Sequence, residues 1–377
     1  MLRTNIKRRL MLTTLGLAMA LAMTNWITTK TSAQQQPAAG ATEQLMEQKY
    51  KNIQVLKGLP AAQMHQVMTL ISASLGVTCA KCHVRTGNDW EFDKDDKGEK
   101  KTARMMIQMT MDINKGHFGG RNQVTCFTCH HGHDHPVSVP PLPIAPPAAD
   151  MARSTDAPPT AEQILGKYTQ AVGGKEAVEK LKNTAFKGTQ AGANGPAAPL
   201  ELQTAGADKL VSMVTMGQGA VISQGLNGNA AWQKNPREQR AMDSIEITRL
   251  KSLAMSLDPL QLREPYPRLG FGGKDKIGDR EVVILRGQLP DKRRVRYFFD
   301  AQSGLLLRRL IIADAVIGLE PEQTDYEDYR EVDGVKIPFT IRTSSTDGFI
   351  NATRKFTEVK HHVTIDDSVF NPPAPKP

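Results

Sequence analysis

Two segments in the first third of the chain place apolar residues on one face of a helix. In the segment 63–75 this face is formed by Met64, Val67, Met68, Ile71 and Leu75. In the segment 102–113 it is formed by Met105, Met106, Met109 and Ile113. A spacing of three to four residues is typical of an amphipathic α-helix, and glycines follow both segments. We therefore predict two methionine-bearing helices that each end in a glycine turn.

The second half of the chain has mainly the composition of β-strands. Helical faces come first, at Ile164, Leu165, Tyr168 and Val172, and an amphipathic helix is predicted at 243–257. The segments 282–289, 295–300, 305–312 and 335–343 are rich in β-branched and aromatic residues, which favours strands. Asp333-Gly334 and Ser303-Gly304 predict hairpin turns. We expect an antiparallel sheet, strongly curved or half-closed, with a helix against its concave face.

The 377 residues leave room for two domains, and a change of composition marks the boundary. Eight prolines fall within 136–159, which predicts an extended, semi-stiff spacer. The fold class is therefore α + β multidomain, with a small helical domain at 41–135 and the β domain at 160–373. Within the helical domain, the mixed-charge run 93–101 is predicted to be a solvated loop.

Residues 1–33 have the pattern of an export signal. Arg3, Lys7, Arg8 and Arg9 precede the apolar stretch Leu10–Ala22, and Thr31-Ser32-Ala33 is an acceptable cleavage site. An uncleaved membrane anchor is the alternative, although the apolar stretch is short for a bilayer span. The expected location is the periplasm or cell envelope.

The positive charge of the chain belongs largely to this leader. Of the 48 lysines and arginines, five precede Gln34, whereas all 39 acidic residues follow it, so the formal charge of +9 falls to about +4 without the leader. A nearly balanced chain gives no support to nucleic-acid binding.

All four cysteines lie in two copies of one short motif, Cys79-Ala80-Lys81-Cys82-His83 and Cys126-Phe127-Thr128-Cys129-His130. Cys-x-x-Cys-His is the attachment signature of c-type haem, in which two thiols bond the porphyrin and the histidine ligates the iron. A zinc site or structural disulfides are the alternatives, but neither explains the histidine after each pair. The motifs predict two covalently bound haem c groups, with His83 and His130 as proximal iron ligands.

A sixth iron ligand suited to electron transfer would be methionine, which stabilises ferrous iron. The candidates are Met64 and Met68 on the first helix, and Met105, Met106, Met109 and Met111 on the second. Methionine on an apolar face is also a common packing residue, so the spacing alone leaves these candidates open.

The segment 50–133 resembles the cytochrome c subunit of photosynthetic reaction centres. The resemblance is carried, in order, by Asn52–Leu59, Val67-Met68-Thr69, the first motif, Ala103–Thr110, and Val124-Thr125 before the second motif. It implies that the axial methionines are Met68 and Met106, and that Met64, Met105 and Met109 are packing residues. The family subunit carries four haems in two similar halves, whereas this chain matches one half, which leaves the role of His117 open.

The C-terminal region resembles the half-barrel fold of outer-membrane lipoprotein carriers. Tyr297–Asp300, Gly304-Leu305 and Tyr326–Pro338 carry this likeness, which implies an apolar concavity for acyl chains. The residues contain no catalytic constellation.

Together these features predict an exported dihaem electron carrier rather than an enzyme. Its expected partners are redox proteins, either a photo-oxidised reaction centre or a respiratory complex. Two alternatives remain: a dihaem peroxidase with one open iron face, and a lipid- or lipoprotein-binding module whose haems report redox state.

Overall fold

The computed structural model describes residues 44–139, 157–193, 195–206, 208–258, 262, 269–289, 291–348 and 350–374. The predicted export signal lies outside these residues, as does most of the predicted spacer. We call 44–139 the N-terminal segment and 157–374 the sheet region; their described residues cluster into one compact unit. Within this part of the chain, no helix has the length and apolar character needed to cross a bilayer.

The N-terminal segment is mostly helical, as predicted. Its helices and its short hairpin are α1 (Met46–Lys49), α2 (Met64–Leu75), β1 (Val84–Thr86), β2 (Asp89–Glu91), α3 (Gly98–His117) and α4 (Cys126–His130). Both predicted helices are confirmed, but α3 begins at Gly98, four residues earlier than the apolar pattern indicated.

The prediction of a solvated loop at 93–101 was wrong for its second half. Residues 98–101 form the first turn of α3, and Lys100 is buried. Its Nζ atom lies 2.8 Å from Asp95 Oδ1 and donates to the carbonyls of Phe92 and Lys94. A buried lysine is tolerated because its charge and its donors are all satisfied locally.

The described residues of the sheet region form three α-helices and thirteen strands in one antiparallel sheet. The helices are α5 (Ala161–Ala171), α6 (Lys175–Lys180) and α7 (Ser244–Leu257). The strands are β3 (Thr184–Gly192), β4 (Ala198–Thr204), β5 (Lys209–Thr215), β6 (Val221–Asn227), β7 (Ala230–Lys234), β8 (Gln239–Ala241), β9 (Gly270–Ile277), β10 (Arg280–Gln288), β11 (Arg294–Asp300), β12 (Leu306–Ala315), β13 (Gly318–Val332), β14 (Val335–Ser345) and β15 (Ala352–His361).

Two meanders, β3–β8 and β9–β15, join through the pairing of β3 with β15, so the strand order is 8-7-6-5-4-3-15-14-13-12-11-10-9. The sheet is open, and α7 lies in the connection between its two edge strands. The predicted turn at Asp333-Gly334 is confirmed: Val332 pairs with Val335, and both turn residues have positive φ, as a two-residue hairpin requires.

Contacts of α7 reveal the curvature of the sheet. Lys251 Nζ donates to Asn229, in the β6–β7 turn, whereas the adjacent Ser252 bonds to Glu322 on β13. In a flat sheet β6 and β13 would lie about 29 Å apart, six spacings of about 4.8 Å. Two consecutive residues cannot bridge that distance, so the sheet curls around α7. The predicted curved sheet with a helix on its concave side is confirmed.

Candidate functional site

The first cysteine motif follows a sharp end of α2. Gly76 adopts a left-handed conformation with φ 64°, and its N–H bonds to the Ser72 carbonyl. A Cβ atom at this position would lie 2.1 Å from the Gly132 carbonyl oxygen. Only glycine meets both demands. The chain then forms a short 3-10 turn, Cys79–Lys81, that presents Cys79 and Cys82 three residues apart.

The second motif is itself a short helix, α4. Thr125 caps it, since the Thr125 N–H bonds to Thr128 Oγ1 at 3.0 Å, and His131 ends it with a left-handed φ of 51°. The predicted haem-binding loop is therefore helical at Cys126–His130, and Cys126 and Cys129 fall on one face of this turn.

Hydrogen bonds tie the two motifs to each other. The Gly132 N–H donates to the carbonyl of Ser74, in the last turn of α2, at 2.9 Å. On the surface, Lys81 Nζ of the first motif lies 3.2 Å from Asp134 Oδ2, four residues after His130. The second motif therefore packs against the helix that leads into the first.

Both predicted iron-ligating histidines are suited to metal binding. His130 Nδ1 donates to the His133 carbonyl at 2.9 Å, which assigns the proton to Nδ1 and leaves the Nε2 lone pair available. The His83 ring meets Phe92 edge-on, with centroids 5.1 Å apart. Burial, reinforced by the charge of Lys100, lowers the pKa of His83 and favours the neutral, ligating form.

The four cysteines are free thiols, and burial raises the pKa of Cys82 and of Cys126. Across the described ranges, no three His, Cys, Asp or Glu side chains gather as a metal-binding group. Paired thiols followed by an orientable histidine fit the covalent attachment of haem.

The candidate methionines differ in their surroundings. Met68 is half-buried and packs on the core of the N-terminal segment. On α3, Met106 is 40% exposed, and Met105 (64%) and Met109 (47%) are more exposed. Met105 and Met109 were expected to be packing residues, but they do not lie in the protein interior. Met106 lies about 9 Å along the helix from Lys100 and about 12 Å from Asn114.

A surface groove of about 670 Å³ runs beside this methionine cluster. Its lining includes Met105, Met109 and Arg104 of α3, with Gln54 and Val55 opposite. The structure does not gather Met106 into this groove, and His117 stands exposed in the last turn of α3. The ligand assignments to Met68 and Met106 stay predictions.

Asn114, for which no role was predicted, positions the second motif. This residue is buried near the end of α3; its Nδ2 donates to the Val124 carbonyl at 2.6 Å, and its Oδ1 accepts from the N–H groups of Gln123 and Val124. It therefore holds the backbone of Gln123 and Val124, just before Cys126. An asparagine at a helix end before a glycine-rich turn was the available signal.

The sheet region supplies part of the N-terminal core. Ile317, in the turn between β12 and β13, is 2% exposed and packs with Met46, Leu56, Val67, Leu70 and Ile107. Asn122 holds the same turn, because its Nδ2 donates to the Ala315 carbonyl at 2.6 Å. A sheet hairpin thus inserts among the helices that carry the cysteine motifs.

A charged cluster lies beside this hairpin. Asp347 is fully buried, with its Oδ2 atom 3.2 Å from His65 Nε2 on α2 and 3.0 Å from Arg249 Nη1 on α7. Arg249 also faces Glu320, which accepts from Gln66. One carboxylate therefore links the helix bearing Met68 to the helix inside the sheet.

Comparison with known proteins agrees with the cysteine motifs. Residues 13–155 match the family model described as photosynthetic reaction centre cytochrome C subunit. The chain is 34% identical over 104 residues to the photosynthetic reaction center cytochrome c subunit of Roseobacter denitrificans, covering 26% of this chain and 28% of that protein. It is 32% identical over 108 residues to cytochrome c-554 of Chloroflexus aurantiacus, covering 25% of each.

The predicted resemblance to reaction-centre cytochromes is thereby confirmed, and it supports a c-type cytochrome with covalently bound haem. The chain spans about a quarter of the length of the curated relatives it matches.

Solved structures also align with part of this chain. A putative outer membrane lipoprotein-sorting protein domain from Vibrio parahaemolyticus aligns with a TM-score of 0.40 and 13% identity, covering 55% of this chain and 94% of that one. A LolA superfamily protein from Nitrosomonas europaea aligns with a TM-score of 0.39 and 12% identity, covering 57% and 98%.

Proposed function

We propose that this protein is a dihaem c-type cytochrome that carries electrons between redox proteins of the cell envelope. The observation that supports it most is the duplicated unit: a methionine-bearing helix, a turn, and a Cys-x-x-Cys-His motif. The family match covers both copies of this unit. The domain limits 41–135 and 160–373, with the spacer 136–159 between them, belong to the same proposal.

When bound, haem supplies a one-electron ferric–ferrous couple. Cys79 and Cys82 would hold one group, and Cys126 and Cys129 the other. His130 would ligate through Nε2, because its Nδ1 proton is engaged by the His133 carbonyl. His83 would ligate the first iron, with its ring orientation set by Phe92.

Met68 and Met106 are proposed as the second axial ligands. A filled sixth position would keep oxygen chemistry away from the iron and favour electron transfer over catalysis. The hydrogen bond from the Gly132 N–H to the Ser74 carbonyl, and the bond from Asn114 to the Val124 carbonyl, would hold the two attachment motifs at a fixed distance and orientation. A fixed relation between cofactors limits reorganisation during each transfer.

The redox partner is proposed to be a photosynthetic reaction centre or a respiratory complex. The reaction centre is favoured by the names of the matched relatives, and an exported location by the leader-like segment 1–33. A lipid or lipoprotein ligand in the sheet region was the alternative drawn from its carrier-like fold.

The test is a spectroelectrochemical titration of the exported holoprotein, followed by near-infrared magnetic circular dichroism. We expect two one-electron transitions from low-spin, methionine-ligated haems. Met68→Ala and Met106→Ala should each change the spectrum of one haem, and Met109→Ala, on the same helix as Met106, should change neither.

Two results would contradict parts of this proposal. If Met109→Ala or Met105→Ala, but not Met106→Ala, removed the methionine signature, the second ligand would be misassigned. If one haem in the unmodified protein were high-spin and bound carbon monoxide, the peroxidase alternative would replace electron transfer.

A further inference from the structure

A polar cavity of about 310 Å³ lies between α7 and the concave face of the sheet. Strands from both meanders line it, together with one side of α7. Its charged and amide side chains include Arg309, Glu322, Arg354, Gln190, Gln224 and Gln233. This volume is at the lower end for small-molecule sites and equals that of about ten waters.

One of the two sheet arginines in the cavity is locally compensated. Arg309 is 1% exposed, and its Nη2 atom donates to the carbonyl and the hydroxyl of Ser252, both at 2.9 Å. Glu322 Oε1 lies 3.7 Å from the same nitrogen and also accepts from the Ser252 hydroxyl. Arg309, Glu322 and Ser252 therefore form one hydrogen-bonded group, and the charge of Glu322 also reaches Arg354.

Arg354, on β15, is not balanced in this way. Its hydrogen bond within the described structure runs from Nη1 to Thr343 Oγ1 at 3.4 Å, which is long, and its Nε atom is buried without a partner. No carboxylate among the described residues lies within ion-pair distance of its guanidinium. Burial lowers the pKa of Arg354 to about 10, so the side chain stays charged at neutral pH.

We propose that this cavity binds a small oxyanion, a free carboxylate- or phosphate-bearing molecule, through the guanidinium of Arg354. Arg354 is half-buried, and the carboxylate whose charge reaches it, Glu322, already faces Arg309. A planar oxyanion would supply a further negative charge and acceptors for its fork of donors. The cavity glutamines would bond the polar remainder of the ligand. The inference goes beyond electron transfer and concerns the sheet region alone.

An acyl chain fits this lining poorly. Methylene groups against Arg354 would displace water without offering an acceptor, which leaves the charge uncompensated. A fatty acid also carries a carboxylate, but it adds a long apolar tail. It is therefore the alternative anionic ligand, and the experiment tests it separately.

The experiment is calorimetric titration of the holoprotein with sodium phosphate, sodium succinate and sodium laurate, at constant ionic strength set with sodium chloride. We expect phosphate or succinate to bind the unmodified protein, and Arg354→Gln to weaken that binding about tenfold or more, the loss expected for one charged hydrogen bond. Arg342→Gln is the matched control, because Arg342 lies on the neighbouring strand and is half-exposed.

Thermal unfolding of each variant in chloride separates ligand loss from misfolding. Because Arg354 makes one long hydrogen bond and no close ion pair in the described structure, Arg354→Gln should melt no lower than the unmodified protein. The inference fails if neither phosphate nor succinate binds, if both variants bind alike, or if laurate alone binds. Neither the calorimetric titration nor the thermal unfolding depends on haem reduction. The result of this test is therefore independent of the proposed electron transfer.

Discussion

The N-terminal segment and the sheet region are stabilised in different ways. The sheet region has a continuous core in which α5, α6 and α7 pack against the inner face of the strands. The N-terminal segment buries few large apolar side chains of its own, and its described cluster of Met46, Leu56, Val67, Leu70 and Ile107 is completed by Ile317 from the sheet. On α3, large methionines remain exposed beside the cysteine motifs.

This difference indicates what each region depends on. The thirteen-stranded sheet and the main apolar cluster that it forms with its helices are internal to the sheet region. A segment of roughly ninety residues with so small a core needs additional buried surface. We infer that covalent haem supplies one part of that surface and the β12–β13 hairpin supplies the other.

The buried carboxylate between the regions should give the largest effect of a single substitution. Asp347→Asn removes the charge that faces Arg249 and His65, leaving the Arg249 guanidinium with the more distant Glu320 alone. We expect the free energy of unfolding to fall by about 3 to 5 kcal/mol, measured by denaturant titration. Asp314→Asn, at an exposed ion pair on β12, should change it by less than about 1 kcal/mol.

If Asp347→Asn and Asp314→Asn had equal effects, the ion pairs of Asp347 would contribute little to the stability of the contact between the two regions. In that case the regions would be joined mainly by apolar packing, and the hairpin would carry the whole contact.

The hairpin contact itself is tested by Ile317→Ala. Because Ile317 is buried among the helices, its truncation should lower the free energy of unfolding by about 2 to 4 kcal/mol. The loss should appear first in the Soret band, which reports the N-terminal segment, and only later in the β-sheet circular dichroism. Val316→Ala, next to it and only partly buried, is the control and should cost clearly less.

Coincident loss of both signals in Ile317→Ala would contradict the comparison, since it would mean that the two regions unfold as one unit with a shared core.

Asn114→Ala should act within the N-terminal segment alone. It removes a donor and an acceptor that hold Gln123 and Val124, at an expected loss of about 2 kcal/mol. Attachment of haem at the second motif should fall relative to the first, as measured by the ratio of doubly to singly modified protein. Gln108→Ala, on an exposed side of the same helix, should leave that ratio unchanged.

The smallest effect is expected from a pH-dependent residue in the sheet region. Burial lowers the pKa of His361, whose Nδ1 lies 3.0 Å from Thr184 Oγ1. The unfolded chain therefore binds this proton more readily, so stability is complete above the ordinary histidine pKa and falls as the pH drops below it. The slope is at most about 1.4 kcal/mol per pH unit.

His361→Gln should flatten this dependence between pH 7 and pH 5 in denaturant titrations followed by circular dichroism. An unchanged slope in the variant would show that other groups cause it. The Soret-detected transition should respond less, because His361 is remote in sequence from the N-terminal segment.

Local patterns predicted the elements whose signals are local. The apolar faces predicted α2 and α3, Asp333-Gly334 predicted a hairpin turn, and Asp243 proved to be the N-cap of α7, accepting from Ile245 and Glu246. The two Cys-x-x-Cys-His motifs were read directly, because their chemistry requires a fixed spacing.

Other features depend on distant residues and could not be read in this way. The first meander was not assigned strand by strand, since strands such as Ala198–Thr204 and Val221–Asn227 mix small and polar residues with few apolar ones. The pairing of β3 with β15 joins segments far apart in the chain. Ile317 resembled an ordinary hairpin residue, and only the fold places it among the N-terminal helices.

The same division between local and distant signals applies to the candidate site. Its thiols and histidines follow from the motif, whereas the choice among Met105, Met106 and Met109 depends on how a porphyrin lies against α3. Asn114 was missed because its role lies in hydrogen bonds to a segment nine and ten residues away.

The most direct test of the central claim is the intact mass of the exported protein beside its cysteine variants. The account predicts a polypeptide carrying two covalent haems, and one haem in each of the double variants Cys79→Ser/Cys82→Ser and Cys126→Ser/Cys129→Ser. A mass equal to that of the bare polypeptide, without Soret absorbance, would contradict it.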